Sequence, residues 1–131
     1  MSESILTSVK KNLGIIEDDT SFDSDIILDI NSIFPILYQI GIGSEGFEIE
    51  DKETTWSDFL GEDLSRLALV KAYMYLQVRM IFDPPQSSSV ISAYESRIQE
   101  YTWRLNAMAD PTKDEITAMN LTPLWTGGNN E

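Results

Sequence analysis

The sequence predicts an all-α protein, a small helical bundle of about four principal helices with an extended C-terminal tail. Apolar residues recur at three- and four-residue spacing in four separate stretches. Glycine, proline or capping side chains bound each stretch. Only Phe47-Glu48-Ile49-Glu50 alternates in the manner of a strand, which allows one short extended segment. A length of 131 residues with 42% hydrophobic content suits one folded domain with a modest core.

Ile5, Leu6, Val9 and Leu13 mark a short first helix that Gly14 ends. The polar linker Glu17-Asp18-Asp19-Thr20-Ser21 offers capping oxygens to the next helix, expected from about Phe22 to Ile40. Ile26, Ile30, Ile33 and Leu37 line one face of it, and Asp23 and Asp25 suit the positive end of its dipole. Pro35 removes an amide donor and crowds the preceding turn, so a kink or a break into two helices is expected there. Gly41 and Gly43 end the segment. Residues 44–63 form a long acidic connection that holds the turn Thr55-Trp56-Ser57-Asp58-Phe59-Leu60-Gly61. The spacing puts Trp56, Phe59 and Leu60 on one side of a single helical turn, a hydrophobic plug.

The third long helix, about Asp63 to Phe82, is apolar nearly all round and so must be buried on several sides. In a domain this small, a neighbouring subunit is expected to complete that burial where the surrounding helices do not cover it. Asp83-Pro84-Pro85 stops it. Ser87, Ser88 and Ser89 offer caps for a fourth helix reaching about Ala109, with Ile91, Tyr94, Ile98, Tyr101, Leu105 and Met108 on one seam. Asp110-Pro111 starts another short turn through Met119, and the end of the chain shows no period. Residues 1–109 thus read as a helical domain and 110–131 as a tail.

The composition excludes much chemistry. The chain has no cysteine and no histidine, so it lacks disulfides, thiolate or imidazole metal ligands and histidine-based proton shuttles. No cofactor is expected. Net charge is −13, and residues 1–63 hold 15 of the 22 acidic but 3 of the 9 basic side chains. That balance argues against a grip on phosphates or on anionic membranes. No signal sequence is read at the N-terminus, and Lys71, Gln77 and Arg79 interrupt the most apolar run, so no membrane span is expected.

Asp18, Asp19, Asp23 and Asp25 lack the spacing, glycine and terminal glutamate of a calcium loop, and helix capping explains them better. Nothing singles out one carboxylate pair for glycosidase-type chemistry, so an enzyme is not expected. Trp56, Phe59, Leu60 and Phe82 are read as packing residues within the subunit or between subunits. Arg66, Lys71 and Arg79 on an otherwise apolar helix must reach a carboxylate or water. Pairing across subunits with the acidic connection is one outcome. Trp125, in a tail without pattern, either folds back or anchors a partner.

One set of residues resembles a known family. It comprises Asp-Asp-Thr-Ser-Phe-Asp-Ser-Asp-Ile at 18–26, Asn31-Ser32-Ile33-Phe34, Gly41-Ile42-Gly43 and Thr55-Trp56-Ser57-Asp58-Phe59-Leu60-Gly61. It continues through Leu69-Val70-Lys71, Tyr75-Leu76, Val78-Arg79, Phe82-Asp83-Pro84-Pro85 and the closing Glu100–Asn106 helix. Across residues 4–108 the chain resembles the head–tail connector proteins, or adaptors, of long-tailed double-stranded DNA phages. The resemblance implies a homo-oligomeric ring, usually of twelve subunits, beneath the portal protein in the neck of the virion, assembled in the host cytoplasm. DNA would pass through without sequence-specific binding, and a stopper, head-completion or tail-end protein would dock below. Packing in the core or between subunits is expected, from the residues themselves, of Trp56, Phe59, Leu60, Lys71, Arg79 and Phe82. The resemblance makes Leu121, Leu124 and Trp125 candidates for portal docking, and Glu48, Glu50, Asp51 and Glu53 candidates for an acidic channel lining. The competing expectation is an acidic module that mimics DNA and blocks a basic nucleic-acid-binding protein.

Overall fold

The apolar stretches become five helices in the computed structural model, which describes residues 3–109. They are α1 (Ile5–Leu13), α2 (Asp23–Gln39), α3 (Trp56–Leu60), α4 (Leu67–Phe82) and α5 (Ser88–Ala109). α2, α4 and α5 are long, α1 is the expected short first helix, and α3 is the expected plug. The tail, including the turn expected through Met119, lies outside the described residues.

Local chemistry sets each boundary. The Ser4 hydroxyl accepts from the Thr7 amide at 3.1 Å and starts α1. Gly14 ends it with φ at 82°, a left-handed conformation that costs glycine little. Asp23 and Asp25 occupy the first turn of α2, where carboxylates favour the dipole. Contrary to the expected break, α2 runs uninterrupted through Pro35, whose side chain is exposed. Burial of Phe34 and Leu37 beside it, roughly 1.5–3 kcal/mol each, offsets the roughly 3 kcal/mol that an interior proline costs. Thr55 and Asp58 form a reciprocal capping box on α3, at 3.2 and 2.8 Å. α4 begins at Leu67 rather than near Asp63, because the Asp63 carboxylate takes the Ser65 amide at 3.1 Å and holds a turn there.

Packing centres on α4, which lies against α1, α2 and α5, with α1 also beside α2. Val70, Tyr73, Met74 and Val78 of α4 meet Ile26, Ile30, Ile33 and Leu37 of α2 and Ile5, Leu6 and Val9 of α1 in one core. Along α5, Leu105 is fully buried, while Ile91, Tyr94, Ile98 and Tyr101 are half-buried and Met108 is exposed. The amide of Asn106 donates to the Ile40 carbonyl at 3.2 Å and fixes that end of α5 to the end of α2.

The long connection between α2 and α3 is held by side chains instead of by a sheet. The short strand allowed at Phe47–Glu50 does not form. The Asn31 amide both donates to the Ile49 carbonyl (3.0 Å) and accepts from the Ile49 amide (2.9 Å), taking the place of a strand partner. Phe34, Phe47 and Phe59 cluster with ring centroids 4.8–4.9 Å apart. Trp56 is fully buried, and its indole N–H donates to the Ser8 hydroxyl at 2.9 Å. The chain ahead of α1 and that ahead of α3 are joined by Ile5 N–H to Thr54 O (3.0 Å) and Trp56 N–H to Glu3 O (3.1 Å).

Gly43 has φ of 85°, and a Cβ there would lie 2.3 Å from the Phe59 ring. Gly43→Ala is therefore expected to cost about 3 kcal/mol, from overpacking and backbone strain together. At Gly14 a Cβ meets nothing within 4 Å, so Gly14→Ala carries only the backbone term of about 1 kcal/mol. Urea denaturation of the two variants checks the difference.

Candidate functional site

Two clefts flank α1, and their chemistry differs. The first, about 520 Å³, lies between α1, the start of α2 and the acidic connection, with Lys10, Glu17, Asp18, Asp23, Glu50 and Asp51 in its lining. Lys10 follows Leu6 by one helical turn, which carries its stem onto the apolar side of α1. Its ammonium is almost fully buried. It donates to the Glu17 carbonyl at 2.9 Å and pairs with the Asp23 carboxylate at 2.9 Å. This lysine ties the α1–α2 turn to both helices. Farther along the turn, the hydroxyl and amide of Ser21 donate to Asp19 at 2.7 and 3.0 Å and hold that carboxyl below its ordinary range.

The second cleft, about 260 Å³, opens between α4 and α5 at the C-terminal end of α1. Tyr75, Leu76 and Arg79 of α4 face Tyr94, Arg97 and Tyr101 of α5, with Ala72 and Asn12 at the edge. Their spacing on each helix is that of one face. The Arg79 Nε–H donates to the Asp83 carbonyl at 3.0 Å. Among the described residues neither arginine pairs with a carboxylate. In a chain of net charge −13, two unpaired guanidinium groups among tyrosines make a site for carboxylates and apolar side chains.

The residues singled out in the sequence fall into distinct places. Trp56 and Phe59 are buried inside the subunit, and Leu60 is half-buried beside them. Lys71 reaches Glu3 of the same chain at 2.7 Å, and that bond raises its ammonium pKa. Phe82 is half-buried, with its ring centroid 5.7 Å from Phe22 in an edge contact. Glu48, Glu50, Asp51 and Glu53 are all exposed, and Asp51 also takes the Glu53 amide at 2.8 Å. Leu121, Leu124 and Trp125 lie outside the described residues. Sequence reasoning missed Lys10 and Arg97. The signal for Lys10 was a lysine one turn after Leu6 on an apolar stripe, followed by an acidic linker. The signal for Arg97 was faint, since its position matters only once α5 is docked on α4.

Among the described residues, no group of three or more carboxylates could hold a metal ion, and no helix is long and apolar enough to cross a membrane. A family model described as phage connector protein matches residues 5–112, from the first residue of α1 past the last of α5. No curated protein and no solved structure matches the chain.

Removing one partner of a buried pair strands the other charge. Lys10→Met is expected to cost about 3 kcal/mol, and Asp23→Asn less, because Lys10 keeps the Glu17 carbonyl; chemical denaturation measures both. Asp29 behaves oppositely. Burial, and then the Asp25 carboxylate, raise its carboxyl above the ordinary 3.8. The folded state therefore binds that proton more tightly than the unfolded chain does. The penalty is present in full above the folded pKa and is relieved as pH falls through it. Asp29→Asn is expected to raise the melting temperature at about pH 7, with the gap to wild type closing at about pH 3.

Proposed function

The chain belongs to the phage connector protein family, and from that premise we propose that it is a head–tail connector subunit, an adaptor that forms a ring beneath the portal. The ring prolongs the DNA channel and presents a docking face to a stopper, head-completion or tail-end protein. The observation that carries this reading is the family match across all five helices. The family is one of structural connector proteins of bacteriophages. The chain acts in the virion neck, is assembled in the host cytoplasm, and works by shape and charge, without catalysis or a cofactor.

The geometry supports the reading in three ways. Trp56 and Phe59 lock the α2–α3 connection into the subunit. Leu60, Lys71, Arg79 and Phe82 stay half-buried at the surface of the α3–α4 region, where a neighbouring subunit completes their packing. Large apolar side chains remain exposed around the bundle, among them Leu28 on α2, Ile81 on α4 and Trp103 on α5. In a ring each subunit uses one surface for the copy on its left and another for the copy on its right. Two unlike flanks on α1 fit that requirement.

Glu48, Glu50, Asp51 and Glu53 supply the channel wall in this account. Carboxylates repel phosphates, so DNA passes without being held, whereas a basic wall would bind every phosphate in turn. The tail, residues 110–131, reaches the portal, with Leu121, Leu124 and Trp125 as its apolar anchors.

Light scattering of the purified protein with a portal ring tests the reading. About twelve copies per portal are expected, and removal of residues 110–131 is expected to abolish portal binding while leaving the helical circular-dichroism signal of the bundle. A monomer that ignores the portal and captures a basic DNA-binding protein would favour the acidic DNA mimic instead.

A further inference from the structure

Ile16 is the most exposed large hydrophobic residue among those described, at 75%. It stands on a turn that is unusually well held. The Ile15 amide donates to the Lys10 carbonyl (2.9 Å), the Asp19 amide to the Ile16 carbonyl (2.9 Å), and the Lys10 ammonium to the Glu17 carbonyl (2.9 Å). Backbone fixed this thoroughly, and tied down by a buried cation, presents Ile16 in one position. Glu17 and Asp18 follow it and are exposed. A preorganised apolar tip flanked by carboxylates loses little entropy on docking.

The complementary surface is the α4–α5 cleft, with Leu76 and tyrosine rings in its walls and Arg79 and Arg97 as unpaired cations. The turn and the cleft do not face each other within one subunit. Lys10, which holds the turn, and Asn12, which edges the cleft, are two residues apart on α1 and so point about 200° apart around it. One flank carries the knob and the other carries the socket.

We propose that Ile16, Glu17 and Asp18 of one copy dock in the α4–α5 cleft of the next, the isoleucine against Leu76 and the tyrosines, the carboxylates meeting Arg79 and Arg97. The contact rests on the connector reading and supplies its head-to-tail interface. Because knob and socket are different surfaces, each copy has one of each to offer, and such head-to-tail contacts make a ring when the rotation between copies closes. It also gives the burial of Lys10 a purpose beyond stability, since the ammonium sets the shape of the knob.

The absence of cysteine makes the test direct. Full-length protein carrying Asn12→Cys and Ile16→Cys together, assembled on a portal ring and oxidised, is expected to give a ladder of covalent multimers. Ile16→Cys alone gives none. In the cysteine-free background, Ile16→Ala and Arg97→Glu are each expected to weaken assembly about tenfold, and Glu17→Arg with Asp18→Arg to restore the second. The Arg97→Glu loss is expected to shrink in high salt. Dimers from Ile16→Cys alone would show like faces meeting and overturn the proposal. Portal-bound rings of normal copy number with no ladder would overturn it and leave the connector reading standing. Failure of the wild-type protein to assemble on the portal would overturn both.

Discussion

The rest of the structure depends on the covering of α4, a 16-residue helix with apolar side chains on nearly every side. Such a helix cannot sit at a surface without exposing a large apolar area. α1, α2 and α5 pack around it, and Val70, Tyr73, Met74 and Val78 vanish into the resulting core. Trp56 and Phe59 add to that core from the connection. The order of the chain follows from this need, because α2 leads through a long connection and α3 before α4 begins. The connection is therefore pinned by Asn31, by Thr55 with Asp58 and by the Trp56–Ser8 bond, and no sheet is required.

Covering α4 leaves remainders, and they are unequal. On one flank of α1, acidic side chains gather around the buried Lys10. On the other, two arginines and three tyrosines line the seam where α5 lies on α4. A monomeric protein has no need of this polarity. A subunit that must meet its own copy on both sides does, since heterologous contact requires two different and complementary surfaces. At the proposed contact, cations at the seam would answer carboxylates at the turn, so that a chain of such negative charge could associate with itself.

Much of the fold was legible in the sequence, because helix punctuation is local. Gly14 ends α1, Gly61 closes α3, and Pro84 and Pro85 separate α4 from α5. The plug was legible too, as Trp56, Phe59 and Leu60 can share one side only if that segment is helical. Long-range pairings were not legible. Asn31 meets Ile49 across 18 residues of sequence, and no pattern in either segment announces it. The start of α4 was misplaced because Asp63 and Ser65 form a side-chain turn that apolar periodicity does not register. Lys10 drew no reading from the sequence, because its burial becomes apparent only with Asp23 and Glu17 folded over it. The arginine cleft needs the register of α4 against α5, which spacing on either helix alone does not contain.

Hydrogen–deuterium exchange of the free protein against the protein bound to a portal ring tests the central claim most directly. Amide exchange reports where backbone becomes covered or stiffened on assembly. Slowing is expected in the α1–α2 turn around Ile16 and in the halves of α4 and α5 that carry Arg79 and Arg97, with the core amides of α2 unchanged. Bound protein whose exchange is the same as that of the free subunit in both places would contradict the claim.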